Sequence, residues 1–334
     1  MIFHPAVLSL LVGSFFVSAM VLLCSLLGIK IITRWDIESS SAEQLELERK
    51  TYLISTLMNY VLGFEVLSVF LFIYTVDDIH TIFTGAMCAT GSLNANPIGW
   101  YLLYTKIAVF FLAATWIAIN YVDQRAEDYP LVRFKYKMVL VLAPLLLLDA
   151  ALTYSYFVDL KPNVITSCCG ALFSDSSIGV AASLSSLPVV EMMVAFYVTV
   201  IVFLGNGVGC LIFRKRFLSY LLMATSMLFF VVSIASIISF ISLYFYEMPT
   251  HHCPFDILQK GYNFIGYPIY ICLFGGTFLG FIGGASVLVE KKESLRFIVA
   301  EVQKKWITTA LVLVILFTLI CTWGVVFSNL SMLY

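Results

Sequence analysis

The chain has 334 residues, is 61% hydrophobic and only 12% charged, and carries a formal net charge of −1 with a mean hydropathy of +0.98. A soluble domain holds roughly a quarter charged residues, so half that level excludes an ordinary soluble globule and points to lipid as the solvent. The near-neutral charge gives no footing for a nucleic-acid partner.

Apolar runs of about 20 residues cross a bilayer core of about 30 Å. A backbone in lipid must satisfy its own hydrogen bonds, so such runs form helices. Strands of a membrane barrel would alternate apolar and polar over about 10 residues, and no segment here does so. The expected architecture is an all-α integral membrane protein, a single polytopic domain over 1–334 with about eight transmembrane helices and short loops. The expected spans are 6–32, 52–76, 98–122, 138–157, 189–212, 217–245, 262–288 and 307–328.

The first span opens on MIFHPAV, which lacks a positive leader, and its basic residues follow the apolar run. It reads as a retained helix and not as a cleavable signal. In the loop that follows, Ser40 and Glu43 have capping-box spacing, so span 2 is expected to begin as a polar helix outside the lipid. Span 7 carries Gly276, Gly280 and Gly284 at four-residue intervals. Small residues at that spacing let helices approach closely, either inside the bundle or at a homo- or hetero-oligomer interface.

Orientation follows from basic residues in short loops. One set of loops holds 16 of the 19 Lys and Arg residues, whereas the opposite loops hold only Lys161 and Lys260. The basic set is therefore expected in the cytoplasm, with both termini outside.

That topology sorts the reactive side chains. His4, His80, His251 and His252 fall on or near the outer side, as do Cys88, the adjacent Cys168 and Cys169, and Cys253. Cys24, Cys210, Cys272 and Cys321 lie within spans and act as small apolar residues. In an oxidising compartment the four outer cysteines would pair. A Cys168–Cys169 bond closes a strained ring, which leaves Cys88 and Cys253 each bonded to one member of that pair. Such staples would suit a non-catalytic subunit or anchor of a larger complex.

The same atoms support two chemistries. Thiolate and imidazole suit copper or zinc, with His80, His251, His252 and Cys253 as candidate ligands and a periplasmic metal carrier as partner. The segment CPFD (253–256) has the frame of a Cys-Pro-x-Cys redox motif, with Asp256 in place of the second thiol. Cys253 would then need Cys168 or Cys169 as resolving partner, with Cys88 nearby and a histidine lowering its pKa. The logic resembles membrane disulfide relays of the vitamin K epoxide reductase type, which implies a quinone as electron acceptor and a periplasmic redox partner.

Charge at membrane depth is costly and marks function. At 1.5 Å per residue, Lys106 and Asp149 both lie about 12 Å below the outer surface and Glu65 about 16 Å, with Glu191 at the outer mouth of span 5. Lys106 and Asp149 are expected to pair, with Glu65 within reach, either as a salt bridge that fixes packing or as a proton- or cation-responsive cluster beneath the thiol loops. The expected function is that of a bacterial inner-membrane protein whose outer Cys/His cluster handles a soft metal or passes electrons between thiols.

Overall fold

The computed structural model describes residues 3–39, 41–162, 164–166, 184–290 and 292–332. Among them the secondary structure is helical, apart from one isolated bridge between Thr84 and Ile165. Among the described residues, eight helices are long and apolar enough to cross a membrane. They are α1 (Pro5–Arg34), α2 (Ala42–Asp78), α3 (Gly99–Asp123), α4 (Val132–Asp159), α5 (Val189–Phe213), α6 (Arg216–Ser236, continued to Tyr246), α7 (Gly266–Ala285) and α8 (Arg296–Phe327). Large apolar side chains such as Phe15 and Phe16 face outward at 69% and 61% exposure, whereas Lys106 is 1% exposed. That inversion is what lipid selects, and the chain is an integral membrane protein.

The helices overrun the expected spans where polar turns continue them. α2 starts at Ala42 and α8 at Arg296. The cap of α2 is Ser41, whose hydroxyl accepts from Gln44 N at 3.2 Å. Ser40 lies outside the described residues, and Glu43 pairs with Arg34 at 2.6 Å. The capping pair therefore sits one residue later than its spacing suggested.

Contacts divide the chain into two compact units. The first comprises 1–79, 93–164 and 292–298, and holds α1–α4. Here α1 packs on α4 and α2, and α3 packs on α2 and α4. Val21, Met58, Leu62, Val109, Trp116 and Leu142 form its buried centre.

The second unit comprises 80–92, 165–291 and 299–334, and holds α5–α7 and most of α8. Its core is aromatic: Phe229 stands 5.2 Å from Phe203 and 5.8 Å from Phe317, centroid to centroid. The three span-7 glycines lie inside this unit. A Cβ on Gly276 would stand 2.9 Å from Val314, one on Gly280 2.7 Å from Phe203, and one on Gly284 2.6 Å from the carbonyl oxygen of Ser219. The seam is thus filled by α5, α6 and α8.

Within α6, residues Ile237–Ile241 form a π turn before the helix resumes at Ser242–Tyr246. Ser242 Oγ donates to the Ile237 carbonyl at 2.6 Å. Such turns insert one residue into the helical register and are frequent at functional sites. This one stands just before the loop that carries His251, His252 and Cys253.

Candidate functional site

The segment after α6 leaves the helix through Glu247, which adopts a left-handed conformation. It re-enters helical geometry in a single tight turn, Asp256–Leu258. Three aromatic side chains shape it: the rings of Tyr246 and His251 meet edge to face at 4.8 Å, and Tyr262 packs on Tyr246 at the same distance. The Tyr246 hydroxyl donates to the Cys253 carbonyl at 2.6 Å and accepts from Ile257 N at 3.0 Å. One buried phenol therefore clamps both ends of the Cys253–Ile257 segment. His252 Nδ1 lies 2.8 Å from the Ile238 carbonyl, within the π turn of α6.

This scaffold holds Cys253 fully buried, against Cys88 at the start of the short helix Ala89–Asn94. The two sulfurs are 3.4 Å apart, in contact and not bonded to each other. Three more groups address the Cys253 sulfur. The Thr90 hydroxyl is 3.5 Å away, Phe255 N donates to it at 3.5 Å, and the thiol points at Asp256 Oδ1, also at 3.5 Å. The opposite carboxylate oxygen of Asp256 bonds His251 Nε2. Gln259 closes the arrangement, donating to the Met87 carbonyl at 2.7 Å.

Chemically this is a dithiol with a carboxylate–imidazole pair on one sulfur. Phe255 N donates to the Cys253 sulfur, the Thr90 hydroxyl lies beside it, and Asp256 Oδ1 accepts from the thiol. Tyr262 borders the group, and its phenol is pushed up by burial first and then by Asp256 and Cys253. It therefore stays protonated. The two Sγ atoms and a carboxylate oxygen of Asp256 all lie within 4.8 Å of one another, a donor set that a soft or borderline ion can use.

The candidate residues distribute unevenly. Cys88 and Cys253 come together, the pairing that sequence reasoning set aside because it leaves Cys168 to pair with Cys169. Cys168 and Cys169 lie outside the described residues. Of the candidate metal ligands, only Cys253 belongs to the donor set. His251 reaches it through Asp256, and His252 is committed to Ile238. His80 is half-buried in the turn Ile79–Ile82, and His4 pairs with Asp78 at 3.0 Å. Asp256, read from sequence as the loss of a thiol, is a member of the site.

The first unit holds the membrane-depth charges. Lys106 Nζ meets Asp149 Oδ2 at 2.9 Å, and both side chains are buried. Lys106 also donates to Ser68 Oγ at 3.4 Å, and Ser68 Oγ is 3.0 Å from Glu65 Oε2. Glu191 stands apart: it lies exposed in the first turn of α5, in the second unit, where its charge complements the positive end of the helix.

A second buried pair in this unit escaped sequence reasoning. Lys135 Nζ meets Asp123 Oδ2 at 2.8 Å and donates to Asn120 Oδ1 at 2.9 Å. Asn120 in turn donates to Asn59 at 3.1 Å, and Asp123 Oδ1 accepts from Leu131 N at 2.7 Å. Comparison of the chain with protein-family models, with curated proteins and with solved structures finds no match in any of the three.

Proposed function

We propose that this is a bacterial-type inner-membrane protein, with both termini and the Cys88–Cys253 site facing outward, that exchanges reducing equivalents through that thiol pair. The orientation rests on the placement of 16 of 19 basic residues in one set of loops. The chemistry rests on one observation: the buried Cys88 and Cys253 sulfurs touch at 3.4 Å, beside a carboxylate positioned to take a proton. Oxidation would join the two sulfurs and release two protons, the first through Asp256 and His251, with two electrons passing to an acceptor such as a quinone. Cys168 or Cys169, or a thiol of a periplasmic partner, would then exchange with the disulfide.

A second reading is favoured by the three-donor set Cys88, Cys253 and Asp256. It is the binding and transfer of copper or zinc. Thiol trapping of intact membranes separates the readings, with alkylation counted by mass before and after mild reduction. A mixture of reduced and oxidised Cys88–Cys253 that shifts with an added quinone supports redox exchange. Thiols protected from alkylation by added zinc or copper(I) support metal handling. Permanently blocked thiols, unmoved by either, sink both and leave a stapled, non-catalytic subunit.

A further inference from the structure

The first unit contains a feature the thiol chemistry does not use. Glu65, Lys106 and Asp149 are each 1% exposed, and Ser68 lies between them at 2%. Two carboxyl groups therefore share a single ammonium in a site without solvent. The charged groups acting on Glu65 are Lys106 from α3 and Asp149 from α4. The buried face of α1 adds Ser14 and Cys24 but no charge. Tyr156 of α4 packs on Phe72, whose ring lies 5.9 Å from Lys106 Nζ. Fully ionised, the cluster would hold one uncompensated negative charge at membrane depth, which is costly.

The hydrogen atoms give a second, independent count. Ser68 Oγ accepts from Lys106 and has one hydrogen to give, yet two acceptors are in reach. These are the Glu65 carbonyl at 2.9 Å and Glu65 Oε2 at 3.0 Å. Helical serines habitually donate to the carbonyl three or four residues back. When Ser68 does so, a proton on Glu65 gives the contact with Oε2 a hydrogen of its own, which an ionised carboxylate lacks. The far end of the cluster is also incomplete: Asp149 Oδ1 is buried without a hydrogen-bond partner, as is the hydroxyl of Thr153 one turn along α4.

We infer that Glu65, Ser68, Lys106 and Asp149 form a proton-binding site within the membrane, in which Glu65 takes up and releases one proton against the fixed Lys106–Asp149 pair. Ser68 relays hydrogen bonding between the carboxyl and the ammonium. Asp149 Oδ1 and the Thr153 hydroxyl are the buried polar atoms that a water would satisfy on the other side. The inference is independent of the thiol reading, because no cysteine takes part in it.

The test is the pH-difference infrared spectrum of the full-length protein in lipid discs. Wild type should show the carbonyl stretch of one protonated carboxyl that appears and disappears reversibly with pH and shifts in heavy water. Glu65→Gln should remove this band, and Glu65→Asp should restore it at a displaced frequency. Sodium added at constant ionic strength should leave it unchanged. No titrating band in wild type would overturn the proposal without recourse to a variant. So would a band that survives in Glu65→Gln, or one abolished by sodium, which would make the site a sodium site.

Discussion

The Cys88 and Cys253 sulfurs meet at 3.4 Å although 165 positions separate them in the chain. The Cys253 thiol points at a carboxylate, 3.5 Å from Asp256 Oδ1, and its sulfur also accepts from Phe255 N. The pair is therefore chemically asymmetric.

That asymmetry predicts which thiol reacts first. Cys253 should be alkylated faster than Cys88 in reduced protein. Asp256→Asn should slow it by about 100-fold, the lower end of what a positioned base supplies, while Cys88 changes little. Stopped-flow alkylation of the Cys88→Ser and Cys253→Ser variants, with and without Asp256→Asn, gives the rates. Equal rates with and without the carboxylate would reduce Asp256 to a loop-shaping residue.

Lys135 and Asp123 are buried, and removing one partner strands a charge. Lys135→Met should destabilise the first unit by about 3–5 kcal/mol. The double variant with Asp123→Asn should recover much of that loss, because the amide oxygen still accepts from Leu131 N. By contrast, losing the exposed Lys50–Glu46 pair should leave stability almost unchanged. Thermal unfolding in detergent orders the three variants.

The glycines of the second unit separate by what surrounds them. A Cβ on Gly284 would press on backbone atoms, Ser219 O at 2.6 Å and Met223 N at 2.8 Å, which cannot turn away. Gly284→Ala should therefore cost about 1–3 kcal/mol through helix separation. Nothing stands within 4 Å of a Cβ on Gly205, and Gly205→Ala should be neutral or stabilising. Melting temperatures of the two variants decide the matter, and a tolerated Gly284→Ala would refute the tight seam.

Glu247 accepts from both the backbone N and the Nδ2 of Asn329, each at 2.9 Å, and these bonds hold its carboxyl below the usual carboxylate range. Because the folded value is depressed, the tie is fully present above the unfolded value. It is lost as pH falls through the folded one. Amide exchange at Asn329 should stay slow at neutral pH and rise, beyond its intrinsic pH dependence, only in acid. Glu247→Gln should remove that acid-dependent rise.

The eight helices were legible because each needs about 20 apolar residues in a row, a signal no loop imitates. The Lys106–Asp149 contact was legible too, since rise per residue puts both side chains at one depth. Lys135 and Asp123 stand at the ends of their helices, where charges read as solvated loop residues, and only packing reveals them as buried. Ring strain in a Cys168–Cys169 bond argues about neighbours in sequence, and it cannot say that the segment around Cys88 meets the loop around Cys253. Asp256 was discounted for not being a cysteine. The tight turn that begins at Asp256 brings its carboxylate within 3.5 Å of the sulfur three positions earlier.

The π turn at Ile237–Ile241 has a consequence for the histidines. The wide turn leaves the Ile238 carbonyl accessible, and the ring of His252 takes it up. Deleting one residue there would restore a regular helix and swing everything beyond it by about 100°. Tyr246 would leave the Cys253 carbonyl, and His252 would lose its anchor, with no change in loop composition. A single-residue deletion in a lipid-embedded helix should thus disable the thiol site as fully as mutating its cysteines. The position of the Cys253 sulfur is set by helical phase.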